Sequence, residues 1–357
     1  MARGWPDTRF VDRVGTALPI VQAPMAGAGD HVLALAAAAG GALGSIPCAM
    51  LSEDQVAAEV AAVRAASDAP INLNFFCHAP PPEPDTRDWQ ALIEPYYREY
   101  GLSGPGAPPP LRRPFDAAMC ALVERLTPEV VSFHFGLPEP ALLERVRATG
   151  AVVIGNATTV AEARALDARG VDFIIAQGSE AGGHTGHFLG ADRAETMGLF
   201  ALLPQVVDAV AVPVIAAGGI ADARGIAAAV MLGAAAVQIG TAYLRTPESR
   251  VSPMHRAALA SEAAEHTVFT NLFSGGLARG LRNRLIDAIG PINPAAPPYP
   301  YAGNALGALR RAAEAAGDAG FSPFWSGQAA RLGRDEPARV LTERLGREAL
   351  ALLNHQS

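Results

Sequence analysis

The stretch VIAAGGIADARGIAAAVMLGAAAVQIGT, residues 214–241, reads as strand, glycine turn, helix and strand. Val214 to Ala217 and Ala236 to Ile239 are short apolar runs that end in glycine, and the Ala-rich segment between them has helical spacing. Asp222 sits where an N-cap belongs and Gly233 where a helix stops. Working outward, the same rhythm recurs at Ile20 to Pro24, Gly41 to Ile46, Ile71 to Phe75, Val130 to Phe135, Ala151 to Asn156 and Phe173 to Gln177. Ser52 and either Thr158 or Thr159 are further expected caps, with Gly170 a further stop. Eight strands alternating with helices predict an α/β fold of the (βα)8, or TIM, barrel type.

Two segments break the rhythm. Ten of the 29 prolines fall between Pro80 and Pro114, beside Tyr96, Tyr97 and Tyr100, and a structureless insertion of that length reads as a functional lid or as disorder. The second break follows the eighth strand and holds helical pieces and a Pro-rich loop, Pro291 to Pro300. The expected division is a barrel of residues 1–245 plus about 322–357 with the insertion at about 78–115, and a smaller helical or α+β lobe at about 246–321 that covers substrate.

Composition narrows the function. A net charge of -7 and a pI near 5.6 disfavour nucleic acid and anionic membranes, which require concentrated cationic charge. All 28 basic residues are Arg, so Schiff-base chemistry and a Walker-A phosphate loop lack their amine. Cys48, Cys77 and Cys120 form neither a disulfide framework nor a metal motif, and the N-terminal MARGWPDTRFVDRVG has no apolar leader core. A cytoplasmic enzyme of small molecules, monomeric or homodimeric and without a metal, is expected.

The chemical residues fall at the C-terminal ends of the strands, where barrel active sites are built. Gln22-Ala23-Pro24-Met25 puts an amide and a bend at the first; Gly27-Ala28-Gly29 fails as a dinucleotide fingerprint because Val32 replaces its third glycine. Gly218-Gly219 and Gln238-Ile239-Gly240-Thr241 expose backbone N–H groups at adjacent strands, as a phosphate site requires, although such turns also serve purely steric needs. After strand six comes Gln177-Gly-Ser-Glu-Ala-Gly182-Gly-His184-Thr-Gly-His187, whose His184 can approach a flat ligand and exchange protons near neutrality, or lie in a surface loop. Zinc binding by His184 and His187 lacks accompanying Cys or carboxylate ligands. Strand four puts Ser132, His134 and Gly136 on one face, making His134 either a substrate contact or a hydrogen-bonded core residue, and Asn72 in strand three either meets a ring edge or satisfies a loop.

Taken in order, QAPMAG, NLNFF, SFHFG, AQGSEAGGHTG, AAGGI, QIGT and the C-terminal FWSGQ resemble the nitronate monooxygenase family, formerly called 2-nitropropane dioxygenases, over most of the chain. The resemblance implies FMN held by Gln22 to Met25, Asn72, Gln177, Gly182, Gly219 and Gln238 to Thr241, with His184 as catalytic base. It implies oxidation of alkyl nitronates, and of nitroalkanes deprotonated by His184, with O2 to carbonyl compounds and nitrite. A tyrosine-lined pocket in the family makes Tyr299 and Tyr301 candidate substrate contacts, alongside a plain proline-packed loop. Where the family often has Ser-Gly-Arg this chain reads Ser274-Gly275-Gly276, and the lysine some members use is absent, which leaves substrate size and charge open. The competing readings are an FMN-dependent NAD(P)H enoyl-acyl-carrier-protein or quinone reductase on the same barrel, and a non-catalytic barrel that binds a phosphorylated ligand.

Overall fold

Helix ends in this chain form where short polar side chains can satisfy free backbone N–H groups. In the computed structural model, which describes residues 4–107, 111–190 and 196–355, Ser52 forms a capping box with Gln55 at the start of helix Glu53–Ala66. Thr159 caps Val160–Ala168, and Asp222 caps Ala223–Met231 through the Arg224 and Gly225 amides. Each such cap stabilises its helix by about 1 kcal/mol. Gly170 and Gly233 turn the chain with φ of 69° and 98°, a conformation that suits residues without Cβ.

The helices surround eight parallel strands: β1 Ile20–Gln22, β2 Gly44–Pro47, β3 Ile71–Phe76, β4 Val130–His134, β5 Val152–Ala157, β6 Phe173–Gln177, β7 Val214–Ala217 and β8 Ala236–Ile239. They pair in the order β1-β8-β7-β6-β5-β4-β3-β2. A parallel bridge between Val21 and Leu43, with Gln22 N donating to Leu43 O and Leu43 N to Ile20 O, brings the two ends together. The fold is the (βα)8 barrel.

Alternation along the strands divides the core in two. Val131, Val153, Ile174 and Val237 point outward to the helices, whereas Val130, Val152, Phe173, Ile175 and Ala236 point inward. The inward set closes on Phe10 of the N-terminal helix Arg9–Val14, which meets Phe173 edge-on at 5.3 Å and plugs the bottom of the barrel. Above that apolar plug, toward the C-terminal mouth, the inward side chains turn polar: Asn72, Asn74, Ser132, Asn156 and Gln177 are all buried.

A second, antiparallel sheet joins Thr267–Thr270, Ala278–Leu281 and the two-residue strand Gly183–His184. Part of the proline-rich insertion is helical, because Trp89, Ile93 and Tyr97 recur every four residues and make one apolar stripe on Arg87–Glu99. That stripe packs on Leu272, Phe273, Leu309 and Phe321, and the Trp89 indole donates to Ala302 O at 3.1 Å. The insertion and the 246–321 segment therefore share one apolar core, and the insertion expected to be structureless carries a helix with Pro95 inside it. Pro108 to Pro110 lie outside the described residues. Among the described residues no helix is long and apolar enough to cross a membrane.

Candidate active site

The loop that leaves β6 doubles back across the barrel mouth, and the second sheet holds it there. Gly183–His184 pairs with Ala278–Arg279, and the Thr185 amide donates to Leu277 O at 2.9 Å. From below, Gln177 Nε2 donates to His184 O at 2.9 Å, while its Oε1 accepts from Asn156 Nδ2 at 3.0 Å and Gly186 N at 2.9 Å. The amide expected to touch a cofactor thus makes two of its three hydrogen bonds to the histidine loop and the third to Asn156. A Cβ on Gly186 would come within 2.6 Å of His134 Cε1, so only glycine allows the loop to lie on His134.

His184 Nε2 lies 2.8 Å from Ser274 Oγ, and Ser274 Oγ also reaches Gly276 O at 3.4 Å. The imidazole is walled by Phe135, Tyr299 and Trp325, with ring centroids at 6.2, 5.4 and 5.4 Å. Burial first, and then the charge of Arg112, holds its pKa well below the ordinary histidine value, so the ring is neutral near pH 7. Burial likewise pushes the neighbouring His134 down to about 4. Phe135 has a φ of 65° although it is not glycine, a strained conformation at the end of β4 that turns its ring between His134 and His184.

Tyr299 packs against His184, His78 and Phe135, whereas the Tyr301 hydroxyl points to Pro81 O at 3.4 Å and ties the 291–300 loop to the insertion. The structure thus brings Tyr299, but not Tyr301, to the histidine. A cavity of about 830 Å³ opens beside this cluster, lined by His78, Phe135, Thr185, His187, Gly276 and Tyr299 and continued by apolar side chains.

Across the mouth, β1 and β8 end side by side. Ala23 N donates to Ile239 O at 2.9 Å, and Met25 Sδ lies 3.7 Å from where a Cβ on Gly240 would be. Pro24 sits between them in the sequence, and the Ile239 side chain turns outward into the helix layer, leaving its backbone toward the mouth. Gln238 shares the inward face with Ala236 by alternation. Gln22 Oε1 accepts from Ser45 N at 3.0 Å, and Asn72 Nδ2 donates to Ser45 Oγ at 3.0 Å. Asn72 Oδ1 is buried with no partner among the described residues, which marks a place where an outside donor belongs.

At β7, Gly218 and Gly219 adopt φ of 111° and 67°, and their amides donate to no acceptor among the described residues. Packing also demands glycine there: a Cβ on Gly218 would meet Ala181 N at 3.1 Å, and one on Gly219 would meet Glu180 Cβ at 3.2 Å. The following helix offers less than its position suggests, because the Asp222 carboxylate already occupies its first amides. Gly182 faces the Ser326–Gly327 backbone, with Gly327 N 2.5 Å from its would-be Cβ, and Thr241 Oγ1 accepts from Gly327 N at 2.9 Å. An orphaned amide oxygen, free amides and glycine turns at neighbouring strand ends fit a flat ligand with an anionic tail.

Ser274, His78, Arg112 and Trp325 were not foreseen as site residues. His78 alone carried a local signal, since Asn72, Asn74, Phe76 and His78 continue one period-two face past the end of β3.

Fold and site together define a (βα)8-barrel enzyme whose mouth, roofed by a second sheet, holds a neutral imidazole in an aromatic cage. Residues 8–348 match the family model described as nitronate monooxygenase. The chain belongs to the nitronate monooxygenase family and is an oxidoreductase. It is 40% identical over 341 residues to the nitronate monooxygenase of Paraburkholderia phytofirmans, covering 94% of this chain and 93% of that one. The corresponding Pseudomonas aeruginosa protein is 39% identical over 345 residues, with 95% and 98% covered. Among solved structures, nitroalkane oxidase from Streptomyces ansochromogenes superposes with a TM-score of 0.87 at 35% identity over 98% of this chain and all of that one. FabK from Thermotoga maritima does so with 0.75 at 28% identity, covering 98% and 97%.

Proposed function

We propose that this protein oxidises alkyl nitronates, and neutral nitroalkanes after deprotonating them, with FMN as cofactor and O2 as oxidant, giving carbonyl compounds and nitrite. The observation that carries the reading is the neutral, caged His184, tied through Nε2 to Ser274. The family supports a flavin at the mouth. Asn72 Oδ1, the Gly218 and Gly219 amides and the turns Gln22 to Met25 and Gln238 to Thr241 are the groups that would hold it. Bound there, FMN would supply the electron transfer between substrate and O2 that no side chain can perform.

The protein's own contribution is the proton and its surroundings. A nitroalkane is a carbon acid, so its α-carbon needs a base and its nitro oxygens need nearby positive charge as the anion forms. With the Ser274 hydroxyl turned to Gly276 O, its oxygen accepts the His184 Nε2 proton, and Nδ1 keeps the lone pair that takes the substrate proton. A ring that is neutral at pH 7 holds that lone pair ready. Tyr299 and His134 border the substrate, and the aromatic cage excludes water. The 78–115 insertion and the 246–321 lobe act as a joint cover, since Ser274, Gly276 and Tyr299 all come from the lobe.

The FabK likeness keeps an NAD(P)H-dependent reductase as the second reading. The test is to record the visible spectrum of the purified protein and identify the released cofactor by mass. Anaerobic mixing with propionate 3-nitronate, NADH and NADPH then follows. Rapid bleaching by the nitronate is expected; bleaching by a nicotinamide nucleotide but not by the nitronate would overturn the proposal.

A further inference from the structure

Arg112 is a cation without an evident counter-charge. Its Nη1 makes one hydrogen bond, to Tyr299 Oη at 3.3 Å, and its guanidinium lies 5.8 Å from the Tyr299 ring centre. No carboxylate comes within ion-pairing distance among the described residues, whereas most guanidinium groups of this chain are paired. Arg279, also without a carboxylate partner, is instead satisfied by Ser179 O at 2.7 Å and Thr267 Oγ1 at 3.2 Å, with Phe269 beneath it. The five-donor fork of Arg112 is therefore largely unspent beside a site where its charge is felt by His184, His78 and Tyr299.

His78 is the second observation. Its side chain is more than nine-tenths buried and lines the cavity, and its ring stands edge-on to Tyr299 at 4.9 Å. Among the described residues neither ring nitrogen has a partner of good hydrogen-bond geometry, the Arg112 backbone being the polar group close enough to act on the ring. A buried imidazole with ring nitrogens open toward a cavity, beside a largely unspent guanidinium, suits the oxygen atoms of a ligand. The cavity wall beyond is mostly apolar, with Phe135, Leu137, Leu277, Phe188 and Leu189 along it; Arg169 also lines it, with one guanidinium nitrogen donating to Pro138 O at 2.8 Å.

We propose that Arg112, Tyr299 and His78 form an anion-recognition site beside His184 that selects a planar monoanion carrying an alkyl chain, a nitronate or its carboxylate isostere. The guanidinium and the phenol hydroxyl take the two oxygens, His78 supplies a further hydrogen bond, and the chain follows the apolar wall. A planar two-oxygen anion matches the fork of arginine, and with no lysine in the chain this charge has no substitute of that kind. The assignment rests on the nitronate reading for its physiological ligand, and the binding site itself does not depend on turnover.

The test is equilibrium binding of pentanoate and of neutral pentanamide to the purified holoprotein, measured by calorimetry, with the wild type, Arg112→Gln and Arg112→Lys. The wild type is expected to prefer pentanoate by on the order of tenfold. Arg112→Gln should erase that preference while pentanamide still binds, and each methylene from propanoate to hexanoate should tighten binding about threefold. Equal affinity for acid and amide in the wild type, or a preference that survives Arg112→Gln, overturns the proposal. If Arg112→Gln binds neither probe, Arg112→Lys decides: a retained preference supports the site, and its loss overturns it. Failure of nitronate oxidation with the carboxylate preference intact would remove the reaction and leave the site, and the reverse result would do the opposite.

Discussion

Substituting Ser274 with Ala removes the single group fixing the Nε2 side of His184 while leaving the aromatic cage in place. The hydroxyl lies 2.8 Å from Nε2, and no other bond to that nitrogen replaces it among the described residues. An imidazole N–H left unpaired in a site shielded from water costs about 1–3 kcal/mol. If that cost is borne where the ring must accept a proton, it lowers kcat/KM by about 5- to 150-fold. The loss should depend on substrate. A neutral nitroalkane needs the base, whereas a preformed nitronate arrives already deprotonated, so 1-nitropropane should lose the full factor and propyl-1-nitronate should lose little. Nitrite release near neutral pH measures both. The alanine variant also loses the bond from the Gly276 amide at 3.3 Å, so a thermal melt must show that the turn survives. Equal losses for the two substrates, or no loss with the nitroalkane, would refute the assignment of His184 as a base oriented by Ser274.

Three further outcomes are expected. The folded-state pKa values of His134 and His255 are both about 4, held down first by burial, while the unfolded chain protonates near the ordinary value of 6.5. Stability is therefore complete above about pH 6.5 and falls toward pH 4 by up to about 1.4 kcal/mol per unit per histidine; urea unfolding that gives equal stabilities near neutrality and at about pH 5 would contradict this. Glu162, fully buried, accepts from Thr158 N, Thr158 Oγ1, Phe188 N and Leu189 N at 2.7, 2.8, 2.6 and 3.3 Å, so Glu162→Gln sets a donor against donors. It should cost about 2–4 kcal/mol and speed hydrogen exchange at Phe188 and Leu189, and unchanged protection there would sink the idea that this carboxylate anchors the loop. Trp89→Ala should cost about 3–5 kcal/mol by emptying the core that the insertion shares with the lobe, read as a lowered midpoint in denaturant.

The barrel was legible because its signal is local. Each strand is a short apolar run with a glycine or polar stop, and caps such as Ser52 and Asp222 act within three residues of themselves. The histidine loop was legible for the same reason, since His184, Gly182 and Gly186 sit in one continuous stretch. What surrounds His184 was not, because its partners lie far along the chain: Ser274 is 90 residues away, and Arg112 meets Tyr299 across 187. Sequence periodicity carries no information on such pairings, which arise only when the insertion and the lobe close over the mouth.

Gln177 shows a different limit. A strand-end amide offers two donors and an acceptor to whatever is nearest, so local pattern alone cannot assign it to a cofactor or to the backbone of its own loop. Its bonds within the protein go to Asn156, His184 and Gly186, which leaves one Nε2 hydrogen for a ligand. At Asn72 the same accounting leaves Oδ1 with no donor among the described residues. Two amides that look alike in the sequence thus differ in the fold, one bonded to the histidine loop from beneath and the other with an open acceptor. His184 is held by both parts of the molecule, its backbone by Gln177 of the barrel and by the Ala278–Leu281 strand of the lobe, and its ring by Ser274 of the lobe. Loosening the lobe should therefore disorder the imidazole before it disturbs the strands.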